Sequence, residues 1–76
     1  MADNDRLRAL EAMAEEAYDR MYDAPSATAA AACYSDAKEA LYDAVAFARE
    51  LGNDEAVKRL QARLAHIKGV YRSQFS

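Results

Sequence analysis

Tryptophan is absent from the chain, glycine occurs twice, and cysteine, histidine and proline occur once each. Each shortage removes a class of protein. A single cysteine, Cys33, closes no intrachain disulfide, so the fold is not stapled. One Cys and one His cannot supply the four close ligands of a structural zinc site. The residue three before His66 is Arg63, which leaves out the Glu-x-x-His pairs of a di-iron bundle. Two glycines do not make a loop that cradles phosphate. No run approaches the roughly 18 consecutive apolar residues of a membrane span. The first residues, Met1-Ala2-Asp3-Asn4-Asp5, have neither a basic nor an apolar leader region, so no secretory signal is expected. Together with the lone thiol this places the protein in the cytoplasm. Ser, His and Asp form no organised nucleophilic set, and no cofactor motif occurs. The expectation is therefore no catalytic residue, no metal, no cofactor and no enzyme activity. A net charge of −3 and a pI near 5.0 argue against nucleic acid as partner.

Strand signals are missing too. Val, Ile and Thr total five residues, and no polar–apolar alternation appears. Large apolar groups are scarce: Leu, Ile, Val and Phe number 12, against 19 alanines. Alanine is the strongest helix former but buries little surface. A chain of 76 residues with so few large side chains has a thin core. Two remedies remain open, strong local helix propensity or a core shared with a second chain.

Two breaks divide the sequence. Pro25 disfavours helical geometry at Ala24 and lacks a donor. Gly52-Asn53 supplies a helix stop followed by a fresh cap. The pattern predicts one helical domain over residues 1–76, with helices at about 4–23, 26–51 and 54–74. It reads as all-α, an up-down-up antiparallel bundle or an extended helical hairpin. In the first helix Leu7, Leu10, Met13, Ala14, Ala17, Tyr18 and Met21 share a face. The second has the widest apolar face, which includes Cys33 and suits a central helix with two neighbours. The third carries the stripe Val57, Leu60, Leu64, Ile67, Tyr71 and Phe75. Residues 1–24 hold seven acids and three bases, whereas residues 53–76 hold two acids and five bases. Opposite charge favours the first and third helices as neighbours, each exposed pair contributing only about 0–1 kcal/mol.

Four features remain as candidate surfaces. Ala62, Ala65, Gly69 and Ser73 form a small-residue strip on the back of the third helix. Mid-helix, Gly69 costs about 0.5–1 kcal/mol relative to alanine, and close approach of another helix would explain it. Tyr42, on a polar flank, joins Ala65, Gly69 and Ser73 as a possible interface. Glu11, Glu15, Asp19 and Asp23 form an acid ladder along the first helix, read as solvated charge or a dock for a basic partner. Tyr18, Tyr34, Tyr71 and Met21 either fill the core or line an apolar slot between helices. The bases of the third helix straddle its stripe, with Lys58, Lys68 and Arg72 on one side and Arg59 and Arg63 on the other. That arrangement suits snorkelling side chains, not a phosphate-tracking face.

The run Ala37-Lys38-Glu39-Ala40-Leu41-Tyr42-Asp43-Ala44, continued by Ala48-Arg49-Glu50-Leu51-Gly52-Asn53, resembles the second helix and exit turn of a tetratricopeptide repeat. Arg49 stands where that family places proline, and there is no second copy, whereas stacked repeats need about three units. The resemblance implies helical-hairpin chemistry and not membership. The sequence thus reads as a non-enzymatic helical interaction module, homo-oligomeric, acting as a small adaptor or regulator. Its partner would be a second copy, as a homodimer, or another helical protein, and not a membrane or nucleic acid. A small-ligand accessory protein using the apolar slot is the alternative.

Overall fold

The structure, a computed structural model, describes residues 2–75; the outermost residues of the expected domain, 1 and 76, lie outside the described residues. It is an all-α three-helix bundle, with α1 at Ala2–Asp23, α2 at Ala27–Glu50 and α3 at Asp54–Gln74. No strand occurs among the described residues. The helix α1 starts two residues earlier than the sequence suggests. Asn4 and Asp5 therefore lie within its first turns, where the helix dipole favours the Asp5 carboxylate.

The connections follow the sequence closely. Ser26 caps α2 by accepting from the Ala29 amide at 3.1 Å, and Asn53 caps α3 by accepting from the Ala56 amide at 3.0 Å. Between them, Gly52 has φ of 71°. Its amide donates to the Arg49 carbonyl and the Asn53 amide donates to the Ala48 carbonyl. These two bonds make a Schellman motif, which satisfies carbonyls left over at the end of α2. A Cβ at position 52 would touch nothing within 4 Å, so only backbone conformation opposes a side chain there. Gly52→Ala is expected to lower stability by about 1 kcal/mol, checked by urea denaturation. An unchanged midpoint would mean the turn is not held in this conformation.

Contacts fix how the helices lie. Glu11 pairs with Arg59 and Glu15 with Arg63, a constant offset, as in helices running the same way. Tyr34 meets Tyr71 and Tyr42 meets Lys68, the reversed order of antiparallel neighbours. The central helix is α2, and α1 approaches it more closely than α3 does. Alanine explains the difference. Ala14 and Ala17 on α1, and Ala30, Ala37, Ala40, Ala44 and Ala48 on α2, are all buried. Larger side chains, Leu41, Leu60, Leu64 and Ile67, fill the space toward α3. Among the described residues no polar side chain is fully buried.

Candidate interaction surfaces

Between α1 and α3 the acid ladder finds its partners within the chain. Arg59 Nη2 donates to Glu11 Oε2 at 2.9 Å. Arg63 grips Glu15 with two bonds, Nε to Oε2 at 2.7 Å and Nη2 to Oε1 at 2.6 Å. The Arg63 guanidinium also lies 5.0 Å from the centre of the Tyr18 ring. The Glu15 carboxylate raises the Arg63 pKa above its usual value, outweighing the opposing effect of partial burial. Both members of each pair remain partly exposed, so each contributes about 0–1 kcal/mol, the bidentate pair toward the upper end. A small cleft of about 170 Å³ beneath them is floored by Leu41 and Leu60. Only Asp19 and Asp23 of the ladder remain exposed. Glu11 and Glu15, read as solvated charge or a dock for a basic partner, thus face the molecule's own third helix, whose cations stand at the matching offset.

The expected aromatic slot is filled by its own members. Tyr34 and Tyr71 stack face to face with centroids 3.9 Å apart. Tyr71 stacks on Phe75 at 5.8 Å, Phe75 meets Tyr22 edge-on at 5.4 Å, and Tyr22 meets Tyr18 edge-on at 5.4 Å. The result is a continuous chain of five rings that ties all three helices together at one end. Cations cover both of its ends, Arg63 over Tyr18 and Lys38 over Tyr34 at 4.4 Å. Met21 is buried. None of the four proposed slot residues lines either cleft described for the molecule. Stacking occupies ring faces that a ligand between the helices would otherwise contact.

The outer face of α3 is open. Ala62, Ala65, Gly69 and Ser73 are all exposed, and a Cβ on Gly69 would meet nothing within 4 Å. His66 is exposed as well, while Cys33 is half-buried and not enclosed in the core as its place in the apolar stripe suggests. Tyr42 is half exposed, but it lies on the α2–α3 flank with the Lys68 ammonium 5.4 Å from its ring centre. That ammonium, able to donate to the phenolate, holds the Tyr42 pKa below the usual tyrosine value. Tyr18 moves the opposite way. Its 2.9 Å hydrogen bond with Tyr22 is the main cause, and burial adds to it.

An alkaline titration followed by tyrosinate absorbance is therefore expected to ionise Tyr42 early and Tyr18 late. Lys68→Met should move Tyr42 up, and Tyr22→Phe should move Tyr18 down. The raised Tyr18 pKa adds stability that is fully present below the unfolded value of about 10 and is lost as pH rises through the folded value. The lowered Tyr42 pKa adds stability that is fully present above that unfolded value and is lost as pH falls through the folded value. Ionisation in the reverse order would contradict both contacts.

A second groove lies on the side of the α1–α2 layer away from Glu11, Glu15 and α3. It is a groove of about 330 Å³ lined by Leu10, Met13, Ala17 and Ala40, with Glu16, Arg20, Asp36, Glu39 and Asp43 along its rims. Met13 stands 59 % exposed. The sequence reading puts Met13 in the core face, and the structure corrects this. The enclosed positions of α1 are Leu7, Ala14, Ala17 and Met21, close to a seven-residue spacing. Met13 falls to one side of that line, whereas Leu10 stands one heptad before Ala17 and packs half-buried against the core. A strict heptad reading, in place of a broad apolar arc, separates Met13 from the rest. Arg20 and Glu16 pair with each other at 3.6 Å, which leaves Asp36, Glu39 and Asp43 to dominate the rim.

No three His, Cys, Asp or Glu side chains converge on a metal-binding geometry among the described residues. No helix of the described residues is long and apolar enough to cross a membrane. No family model matches the chain, and neither a curated protein nor a solved structure matches it.

Proposed function

We propose that the chain is a non-enzymatic helical interaction module, a small adaptor or regulatory protein that receives a partner helix in the α1–α2 groove. The observation that supports this reading is Met13. A large, apolar, flexible side chain stands mostly in water, at the mouth of a groove with an apolar floor and a charged rim. Completing the burial of such a side chain is worth on the order of 1 kcal/mol, part of the roughly 1.5–3 kcal/mol of full burial. Methionine adapts its shape to a partner at low cost. A groove between two helices is the common receptor for an amphipathic helix. The rim holds four acids and one base, so the fitting helix is cationic. Its source is a second copy of the chain or another helical protein.

The test is a titration of the isotopically labelled protein with a synthetic amphipathic helix bearing leucine on one face and lysine and arginine on the other. Expected are shifts at Leu10, Met13, Ala17 and Ala40, their loss in Met13→Asp, and weaker binding of a peptide with equal charge but scrambled leucines. Equal binding of the scrambled peptide, or shifts confined to Asp19 and Asp23, sinks the reading.

A further inference from the structure

Resting on that reading, we infer that Met13 is a reversible oxidation site, a thioether whose conversion to the sulfoxide by a peroxide closes the α1–α2 groove to its partner helix. The two methionines among the described residues lie on the same helix and differ in access. Met13 is 59 % exposed, whereas Met21 is 1 % exposed and enclosed with the core. A peroxide must touch the sulfur lone pair to react, so exposure decides which methionine is oxidised. The sulfur attacks one oxygen of hydrogen peroxide, the O–O bond breaks and an S–O bond forms. The other oxygen takes the remaining proton and leaves as water. Sulfur gives up two electrons and the peroxide accepts them. In the return step a dithiol, the reductant of methionine sulfoxide reductases, removes the oxygen as water and becomes a disulfide.

Position gives the modification its consequence. Met13 stands outside the enclosed line of Leu7, Ala14, Ala17 and Met21, so its sulfoxide leaves the core packing as it is. Around it the groove is lined by the apolar side chains of Leu10, Ala17 and Ala40. A helix seated there with its apolar face inward would press the S–O oxygen against groups that offer no hydrogen-bond donor. The rim does not make up the deficit. Glu16, Asp36, Glu39 and Asp43 are carboxylates, which only accept when ionised, and the one base, Arg20, pairs with Glu16 at 3.6 Å. In the free chain the sulfoxide is hydrated, so the whole penalty falls on the complex. Losing the apolar contact of Met13 and enclosing one polar oxygen without a partner weakens binding by about tenfold or more. An exposed methionine on a plain surface would have no such effect. Here the oxidisable sulfur is the same atom group that gives the groove its apolar contact.

The test uses the full chain carrying Cys33→Ala, which confines sulfur oxidation to methionine, and the same cationic leucine-faced peptide. Cys33→Ser replaces Cys33→Ala if circular dichroism shows that chain unfolded. Dilute hydrogen peroxide should add one oxygen to Met13 before Met21, read by mass spectrometry of peptide fragments, with the helical signal and the urea midpoint unchanged. The oxidised chain should bind the peptide about tenfold or more weakly, and methionine sulfoxide reductases with dithiothreitol should restore the affinity. Met13→Leu keeps an apolar side chain without sulfur. It should bind the peptide alike before and after peroxide, which separates Met13 from any oxidation at Met1. Three outcomes overturn the inference and leave the groove reading standing: Met21 oxidised as readily as Met13 in the folded chain, equal binding by the oxidised and reduced chains, or the same loss in peroxide-treated Met13→Leu. An affinity that the reductases do not restore overturns the reversibility. If the untreated chain does not bind the peptide, the groove reading itself has failed, and the inference falls with it.

Discussion

Ala44→Leu should cost about 3 kcal/mol, the upper end of the usual penalty for overpacking. Ala44 is 0 % exposed, and it belongs to the alanine face that lets α1 and α2 come close along their length. Leucine adds three carbons at a fully enclosed position of the core cluster that also holds Ala14, Ala40 and Ala48. An alanine cannot rotate aside, so the added volume pushes the helices apart. Separation then loosens every alanine contact along the seam, since each depends on the same interaxial distance. For a chain of this size total stability is roughly 4–11 kcal/mol, at about 0.05–0.15 kcal/mol per residue. A single methylene-rich substitution would thus remove a large share of it. Urea denaturation followed by circular dichroism measures the loss. Ala46→Leu, two positions away but exposed, is the control and should change stability by no more than about 0.5 kcal/mol. Equal effects from the two substitutions would mean that α1 does not lie on α2 at alanine distance.

The same residues show what the sequence makes legible. Helix ends were readable because their chemistry is local. Ser26, Gly52 and Asn53 act through atoms at most five positions away, and the caps and turn form where those residue types predict them. The pairing of α1 with α3 was readable in outline from charge, because the acids of one and the bases of the other are so unequally distributed. What the sequence did not disclose is which of them meet: Glu11 and Glu15 pair with Arg59 and Arg63, while Asp19 and Asp23 stay exposed. Helical periodicity assigns a residue to an arc of the wheel, and the neighbour decides which part of the arc is enclosed. Met13 and Leu10 share the arc of Leu7 and Ala14, yet α2 covers the latter and leaves Met13 in solvent. Similarly, the tyrosines suggested a slot because their spacing faces the bundle. Whether rings line a void or stack across it depends on helix separation, which no single helix encodes.

The second large effect concerns α3. Ile67→Ala should lower stability by about 3 kcal/mol, within the roughly 2–5 kcal/mol range for losing a buried isoleucine, leucine or methionine. Ile67 is 0 % exposed and packs in the cluster that holds Leu41, Leu60 and Leu64. It is one of few large groups there, so the cavity left behind has little leucine to collapse into it. The two arginine–carboxylate pairs lie partly in water and cannot replace what is lost. The ring chain at the far end anchors α3 through Tyr71 and Phe75, so the helix should loosen first over its middle turns. Hydrogen exchange is the measurement that resolves this. In Ile67→Ala the amides of α3 should lose protection well before those of the α1–α2 hairpin, whose alanine seam is untouched. Ile67→Val should cost only about 1 kcal/mol and keep the order of exchange.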